Sequence, residues 1–360
     1  MIEAPDDPAL ADLCEELAKR APATDLSGDW PAEQLGLCGD AGVFRWFLPK
    51  EYGGFAWDDA SVVRGYLKLS AACLTTTFVI TQRTAASRRL ALCENEALKD
   101  RLLPALASGE SFATVGISHL TTSGRHLAKP RLAATRTDGG WRLNGVAPWA
   151  TGAVAADNLV IGATVVDGEQ ATPDEILVAV PQETSGVTVA EPFQLVGVSA
   201  SATGAINFAD AFVPDEQVMA GPIEKVLSAV SRGASTGGHE TSTLALGLAA
   251  AAVDFLKSEA TGRDDLAEAT ESLSAEHAEL VADLLSVARG EPACTSESLR
   301  TRANSLVLRA TQASLAAAKG AGYVAGHPVG RWCREALFFM VWSCPQPVMS
   351  ANLCELAGIE

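Results

Sequence analysis

Trp149 and Thr151, two positions apart in NGVAPWATGAVAADNLVIGAT (144–164), are the residues of this 360-residue chain whose types and spacing first suggest chemistry. An indole offers a flat face on which a planar ring can stack, and a threonine hydroxyl offers one donor and two acceptor sites. The competing reading is architectural: Trp149 plugs the end of a β unit and Thr151 caps a turn. Metal chemistry has less to stand on. The eight cysteines, at 14, 38, 73, 93, 294, 333, 344 and 354, show no C-x-x-C spacing and no histidine pairing at zinc-ligand distances, so no metal site is expected and reduced thiols in a cytosol are. Gly237-Gly238 is not followed by Gly-Lys-Ser/Thr, which excludes a P-loop.

Three stretches of different periodicity must position these residues, and together they give an α+β fold. From residue 1 to about 111 apolar residues recur at helical spacing, as in Leu10, Leu13, Cys14 and Leu17, and FLPKEYGGFAW (47–57) marks a turn between helices. From about 112 to 222 the period falls to two in RLAATRT, GWRLNG, NLVIGATVV, EILVAVP, GVTVA and GAINFADAFVP, which predicts an antiparallel β-barrel or sandwich domain. From 223 to 360 it returns to helical over 223–260, 264–289, 295–319 and 330–356, which predicts a C-terminal four-helix bundle. A strand domain between two helical ones leaves clefts at its junctions, where ligand pockets form.

Composition narrows the partners. A formal net charge of −17 repels phosphate backbones and anionic membrane surfaces, so nucleic acid is not expected as a partner. The stretch LALGLAAAAVDFL from Leu244 is too short for a bilayer span, and MIEAPDDPALADL carries no basic and apolar leader pattern. The expectation is a cytoplasmic protein without membrane insertion.

Five landmarks in order resemble the acyl-CoA dehydrogenase family of flavoproteins. They are FLPKEYGG, LKDRLLPALASGE (98–110), TRTDGGWRLNGVAPWATGAVAADNLVIGAT, QLVGVSASATGAINFADAFVPDEQVM and GAGYVAGHPVGRWCREA (320–336). The resemblance implies FAD as cofactor, with Trp149 against one face of the isoalloxazine ring and the Thr151 hydroxyl donating near flavin N5. It implies main-chain flavin contacts from Ile117, Ser118, His119 and Leu120, which do not depend on side-chain identity. It also implies an acyl thioester or other small-molecule substrate and a homodimer or homotetramer, or a hetero-oligomer with a homologue.

The departures are as specific as the matches. Where the family has Thr-Glu-Pro-x-Ala-Gly-Ser-Asp, ungapped counting finds His119 to His126, keeping only Gly124 and replacing the carrier-binding Ser by Arg125. A guanidinium there grips a phosphate or carboxylate, or else is a solvated surface group. The usual catalytic Glu is absent, with Ser343 at its position, and a serine hydroxyl is far too weak a base for an α-proton. Glu240 in GASTGGHETST, one turn past the family's alternative base position, is the candidate base, with His239 beside it; the competing reading is an acid favoured by a helix N-terminus. On the adenine side only Arg263 remains of one element, and Ala316 and Lys319 stand at key places of another. His277 reads as solvated, His327 as a turn residue and Cys344 as unactivated.

Three functions compete: an FAD-dependent dehydrogenase acting on the Cα–Cβ bond of an acyl thioester with a displaced base, a flavin-dependent monooxygenase on the same fold, and a non-catalytic subunit pairing with an active homologue.

Overall fold

The computed structural model describes residues 1–121, 129–168, 170–230 and 239–359. The first region is helical: α1 (Pro8–Ser27), α2 (Ala32–Asp40), α3 (Asp59–Ala72), α4 (Leu74–Leu92) and α5 (Glu96–Ser108). Side-chain caps start three of them, with Asp7, Asp58 and Asn95 accepting from the amides of Ala9, Ser61 and Leu98. The Pro49 to Trp57 turn is tight enough to need glycine. A Cβ on Gly54 would stand 1.9 Å from the Leu48 carbonyl oxygen. Beyond it, Trp57 stacks on the buried Trp46 at 4.5 Å.

The β region holds β1 (Ala113–Gly116), a single-turn helix α6 (Ser118–Thr121), β2 (Leu132–Thr137), β3 (Gly140–Thr151), β4 (Asn158–Asp167), β5 (Gln170–Pro181), β6 (Val187–Val189), β7 (Thr203–Pro214) and β8 (Val218–Glu224), followed by a short α7 (Val226–Ala229). The strand order is β6-β7-β3-β2-β4-β5-β8, with β1 also on β4. The sheet is mixed and not antiparallel throughout. β1 and β2 both run parallel to β4, lying end to end along it. Period-two patterning fixes which face of a strand is buried and says nothing about the direction of its neighbour.

The C-terminal region packs α8 (His239–Ala260), α9 (Ala267–Ala288) and α10 (Ser296–Ala318) on one another, with α8 and α9 also against α3. The fourth expected helix is broken into α11 (Pro328–Ala336), a 3-10 turn (Leu337–Met340) and α12 (Gln346–Ala357). The break carries Ser343 at φ +44°, and Pro345 precedes α12. Helices α3 and α8 are in near contact: a Cβ on Gly247 would lie 2.7 Å from the Leu67 carbonyl oxygen, and the Ser70 hydroxyl donates to the Leu244 carbonyl at 2.8 Å. That contact fixes the N-terminal end of α8 beside α4. Among the described residues no helix is long and apolar enough to cross a membrane.

Candidate active site

A cleft of about 1530 Å³ opens where α4, the end of β1, α6, the end of β3, the start of α8 and the 337–343 turn meet. Trp149, Thr151, Ile117, Ser118, Leu120, Glu240 and Ser343 all line it, so residues up to 226 positions apart in sequence share one wall-to-wall space.

The strand wall carries the hairpin residues. Pairing of β3 with β7 runs Ala147↔Ile206 and then Ala150↔Gly204, so β3 holds one residue more than its partner here. This bulge releases Trp149 from the ladder. Its indole is 49% exposed and tilted against Phe193 at 5.0 Å, which makes it a face presented to the cleft and not the plug of a β unit. Thr151 is buried, and its hydroxyl lies 2.9 Å from that of Thr203, which lies 2.8 Å from that of Ser201. The Thr114 hydroxyl donates to the Thr151 carbonyl at 2.6 Å and holds the strand end in place.

Of the four residues expected to lend main-chain contacts, Ile117, Ser118 and Leu120 line the cleft and His119 does not. The His119 ring is buried, its Nε2 lies 2.7 Å from the Gly162 carbonyl oxygen, and burial pushes its pKa down to about 4. It is a neutral anchor of α6 on β4 at ordinary pH. The Ser118 hydroxyl is buried without a hydrogen-bond partner. Arg125 lies outside the described residues.

The helical wall is one face of α4, on which Phe78, Thr81, Gln82, Ala85, Arg88 and Arg89 recur every three to four positions. Arg88 meets two carboxylates, Glu240 Oε1 at 3.2 Å and Asp59 Oδ1 at 3.2 Å. Glu240 is thus a half-exposed, ion-paired carboxylate on the cleft wall, with Oε1 engaged and His239 beside it. Arg88 and Arg89 were not singled out by the sequence reading. Two adjacent arginines on a Thr-rich helix look like a solvated face until the neighbouring helix is in place.

Ser343 reaches the cleft on a loop held from behind. Arg300, buried in α10, donates to the Phe339 and Trp342 carbonyls at 3.2 and 3.0 Å, and Asn304 donates to the Phe339 carbonyl at 3.1 Å. Burial pushes the Arg300 pKa down to about 10. Around the loop, Phe338 stacks on Trp342 at 4.9 Å and both meet the edge of Phe78, so three rings line the cleft that Ser343 also lines. Burial pushes the Cys344 thiol up, which disfavours its thiolate. His277 is not solvated: its Nε2 lies 3.0 Å from the Leu246 carbonyl oxygen and ties α9 to α8. His327 caps α11 by accepting from the Val329 amide. Arg263 is occupied within its own chain, 3.1 Å from Glu259 and donating to the Ala317 carbonyl at 2.9 Å.

The donor set suits a flavin. The exposed indole, the unpartnered Ser118 hydroxyl and the Thr151 hydroxyl border one space of adequate size for a tricyclic ring. Among the described residues no cluster of histidine, cysteine or acidic groups has metal-holding geometry.

Residues 9–110 match the model of the acyl-CoA dehydrogenase N-terminal domain. The probable acyl-CoA dehydrogenase YngJ of Bacillus subtilis is 27% identical over 244 residues, covering 67% of this chain and 63%, a little under two thirds, of that protein. The probable acyl-CoA dehydrogenase FadE25 of Mycobacterium tuberculosis is 23% identical over 343 residues, 91% of this chain and 88% of that one. The structure of glutaryl-coenzyme A dehydrogenase with glutaryl-CoA superposes with a TM-score of 0.82 at 18% identity, covering 98% and 96% of the two chains, a likeness of fold.

Proposed function

The chain belongs to the acyl-CoA dehydrogenase family, and from that premise we propose that it is a flavin-dependent oxidoreductase that desaturates the Cα–Cβ bond of an acyl thioester with Glu240 as the displaced base. The observation that carries this reading is that Trp149 and Thr151 face the same cleft as Glu240. A flavin bound against Trp149, FAD by family resemblance, supplies the acceptor for the β-hydride. Glu240 takes the α-proton through Oε2, the oxygen not engaged by Arg88, while Arg88 and Asp59 fix the side chain's direction. The Thr203 and Ser201 hydroxyls orient that of Thr151 toward the ring. Arg125 is assigned to the substrate's anionic carrier, and the assembly is a homodimer or homotetramer. The division into units 1–111, 112–222 and 223–360 belongs to the same reading.

Anaerobic bleaching of the flavin by an acyl thioester tests it. Glu240→Gln is expected to slow bleaching at least ~100-fold, the low end for loss of a general base, and Ser343→Ala to change it little. Equal rates in wild type and Glu240→Gln remove Glu240 from the mechanism. One observation favours a second reading: the aromatic cluster of Phe78, Phe338 and Trp342 occupies the surroundings of the missing Glu, which suits a flavin-dependent monooxygenase with no α-proton to remove. Oxygen incorporated into a substrate, with no bleaching by thioesters, selects it. A preparation that takes up no flavin leaves the non-catalytic subunit.

A further inference from the structure

Among the described residues four cations line the cleft: Arg88, Arg89, Arg334 and the exposed Lys225. Arg88 is matched by Glu240 and Asp59, and Arg334 by Asp25 at 2.5 Å. Arg89 stands apart from both. Its Nη1 donates to the Ala85 carbonyl of its own helix at 2.9 Å, its Nε is buried with no partner, and no ion pair involves it among the described residues. The stretches 122–128 and 231–238, outside the described residues, contain no Asp or Glu, and Glu169 and Glu360 are the acidic residues that lie outside them. Desolvation pulls the Arg89 pKa down, while Glu240, its nearest counter-charge, is already engaged by Arg88.

A guanidinium held in this way is costly to the fold, because its charge is largely withdrawn from water and the carboxylate that acts on it, Glu240, is shared with Arg88. It also faces a cavity. The same face of α4 runs from Phe78, among the aromatic rings, to Arg89 eleven residues on, roughly 16 Å at the rise of an α-helix. The cleft therefore has an aromatic end and a charged end, where Arg88 and Arg89 stand with the carboxylates of Glu240 and Asp59, inside a protein whose net charge is −17. An interior cation in an acidic molecule draws an anion into the cleft and not onto the outer surface.

We propose that Arg89 is an oxyanion-binding residue of the cleft, which takes a carboxylate or phosphate group carried by the substrate while the apolar part of that substrate lies toward Phe78, Phe338 and Trp342. This rests on the acyl-thioester reading and deepens it, since it names a substrate with an anionic group at a fixed place. The planar fork suits carboxylate and phosphate oxygens alike. Two sources share that chemistry: a carboxylate at the far end of the acyl chain, and a phosphate of the carrier.

Four ligands separate them by titration calorimetry on the flavin-loaded protein: hexanoyl and adipoyl thioesters, each on coenzyme A and on N-acetylcysteamine, which has no phosphate. Arg89→Gln is expected to weaken binding of the anion-bearing ligand by about 10-fold or more, the worth of charge-assisted hydrogen bonds, and to leave hexanoyl-N-acetylcysteamine unchanged. Loss confined to the adipoyl pair assigns the acyl carboxylate, and loss confined to the coenzyme A pair assigns the carrier phosphate. Arg89→Lys should recover part of the loss, keeping charge without the fork. A uniform change across the four ligands, or none, overturns the proposal. If wild type binds no thioester, the acyl-thioester reading fails on its own, and adipate and inorganic pyrophosphate titrated alone still decide: heat lost in Arg89→Gln supports the anion site, and no heat with wild type overturns it. Thermal melting adds a readout that a structural arginine would move the other way. Arg89→Gln should melt at the same or a higher temperature, since it removes an unpaired buried charge, and a clear drop in melting temperature with ligand affinities unchanged overturns the proposal.

Discussion

On the strand wall of the cleft, polar groups answer one another: Ser201, Thr203 and Thr151 form a hydroxyl chain, and Thr114 pins the Thr151 carbonyl. On the helical side, buried charges outnumber their partners. Arg89 Nε, Arg300 Nε and Nη1, Arg331 Nε and Nη1, and Glu335 Oε2 are all buried without a hydrogen bond. Satisfied hydroxyls cost the fold little and hold one geometry, whereas buried charge with too few partners is retained at the expense of stability. The contrast assigns different work to the two sides. The strand wall is held in one geometry by its own hydrogen bonds, and the helical side stores electrostatic energy that titration, mutation or a ligand can release.

The largest effect expected from that contrast is on stability against pH. Glu335 is buried on α11, 3.6 Å from Arg331, with Thr75, Asp25 and Arg334 as its other polar or charged neighbours. Desolvation outweighs the attraction of Arg331 and raises the Glu335 pKa to about 7. The folded state then binds the proton more tightly than the unfolded chain does. The contribution is fully present below the unfolded value, near 4.5, and is lost as pH rises through about 7. Urea unfolding should show roughly 3 kcal/mol less stability from this group at pH 8 than at pH 4.5, at 1.36 kcal/mol per unit of pKa difference. Glu335→Gln should flatten that interval. An unchanged pH slope in the variant would place the raised affinity for protons elsewhere.

The two sides were unequally legible in the sequence. The order helices, strands, helices follows from periodicity, and the hairpin carrying Trp149 and Thr151 was found because its landmarks are local in sequence. The parallel partners of β4 were not, since alternation is the same for either direction. The break after Ala336 hides in the run LFFMVWSCP, whose apolar residues satisfy a helical period while Ser343 takes a left-handed backbone. Thr203 and Ser201 were invisible because they meet Thr151 only through β3–β7 pairing across fifty residues. Arg89 was invisible for the opposite reason: its meaning lies in having no ion pair of its own among the described residues.

A smaller effect breaks the strand side alone. Trp149→Ala should weaken flavin binding by about 1–3 kcal/mol, by analogy with the stacking of a base on an aromatic side chain. The fold should hardly respond, because the indole is half exposed and its ring contact is Phe193. Fluorescence titration with FAD, and with FMN beside it, measures the loss. Equal affinities in wild type and variant would mean that the exposed indole serves another surface.

The smallest and most discriminating effect lies one hydroxyl behind the cleft surface. A hydroxyl has a single hydrogen, so when Ser201 donates to Thr203 and Thr203 donates to Thr151, the hydrogen of Thr151 is left to point into the cleft. Thr203→Val keeps the side-chain shape and removes that donor, so Thr151 no longer has its direction imposed. One neutral hydrogen bond is worth about 1 kcal/mol, which for a two-electron couple corresponds to roughly 20 mV. Thr203→Val should therefore shift the midpoint potential of the bound flavin by about that much while leaving flavin affinity near that of wild type, the reverse of the Trp149→Ala pattern. Thr151→Val should shift the potential at least as far in the same direction, since it removes the hydroxyl that Thr203 only orients. If Thr203→Val lowers affinity and leaves the potential alone, the hydroxyl chain is mere packing, and the preorganisation ascribed to the strand wall fails with it.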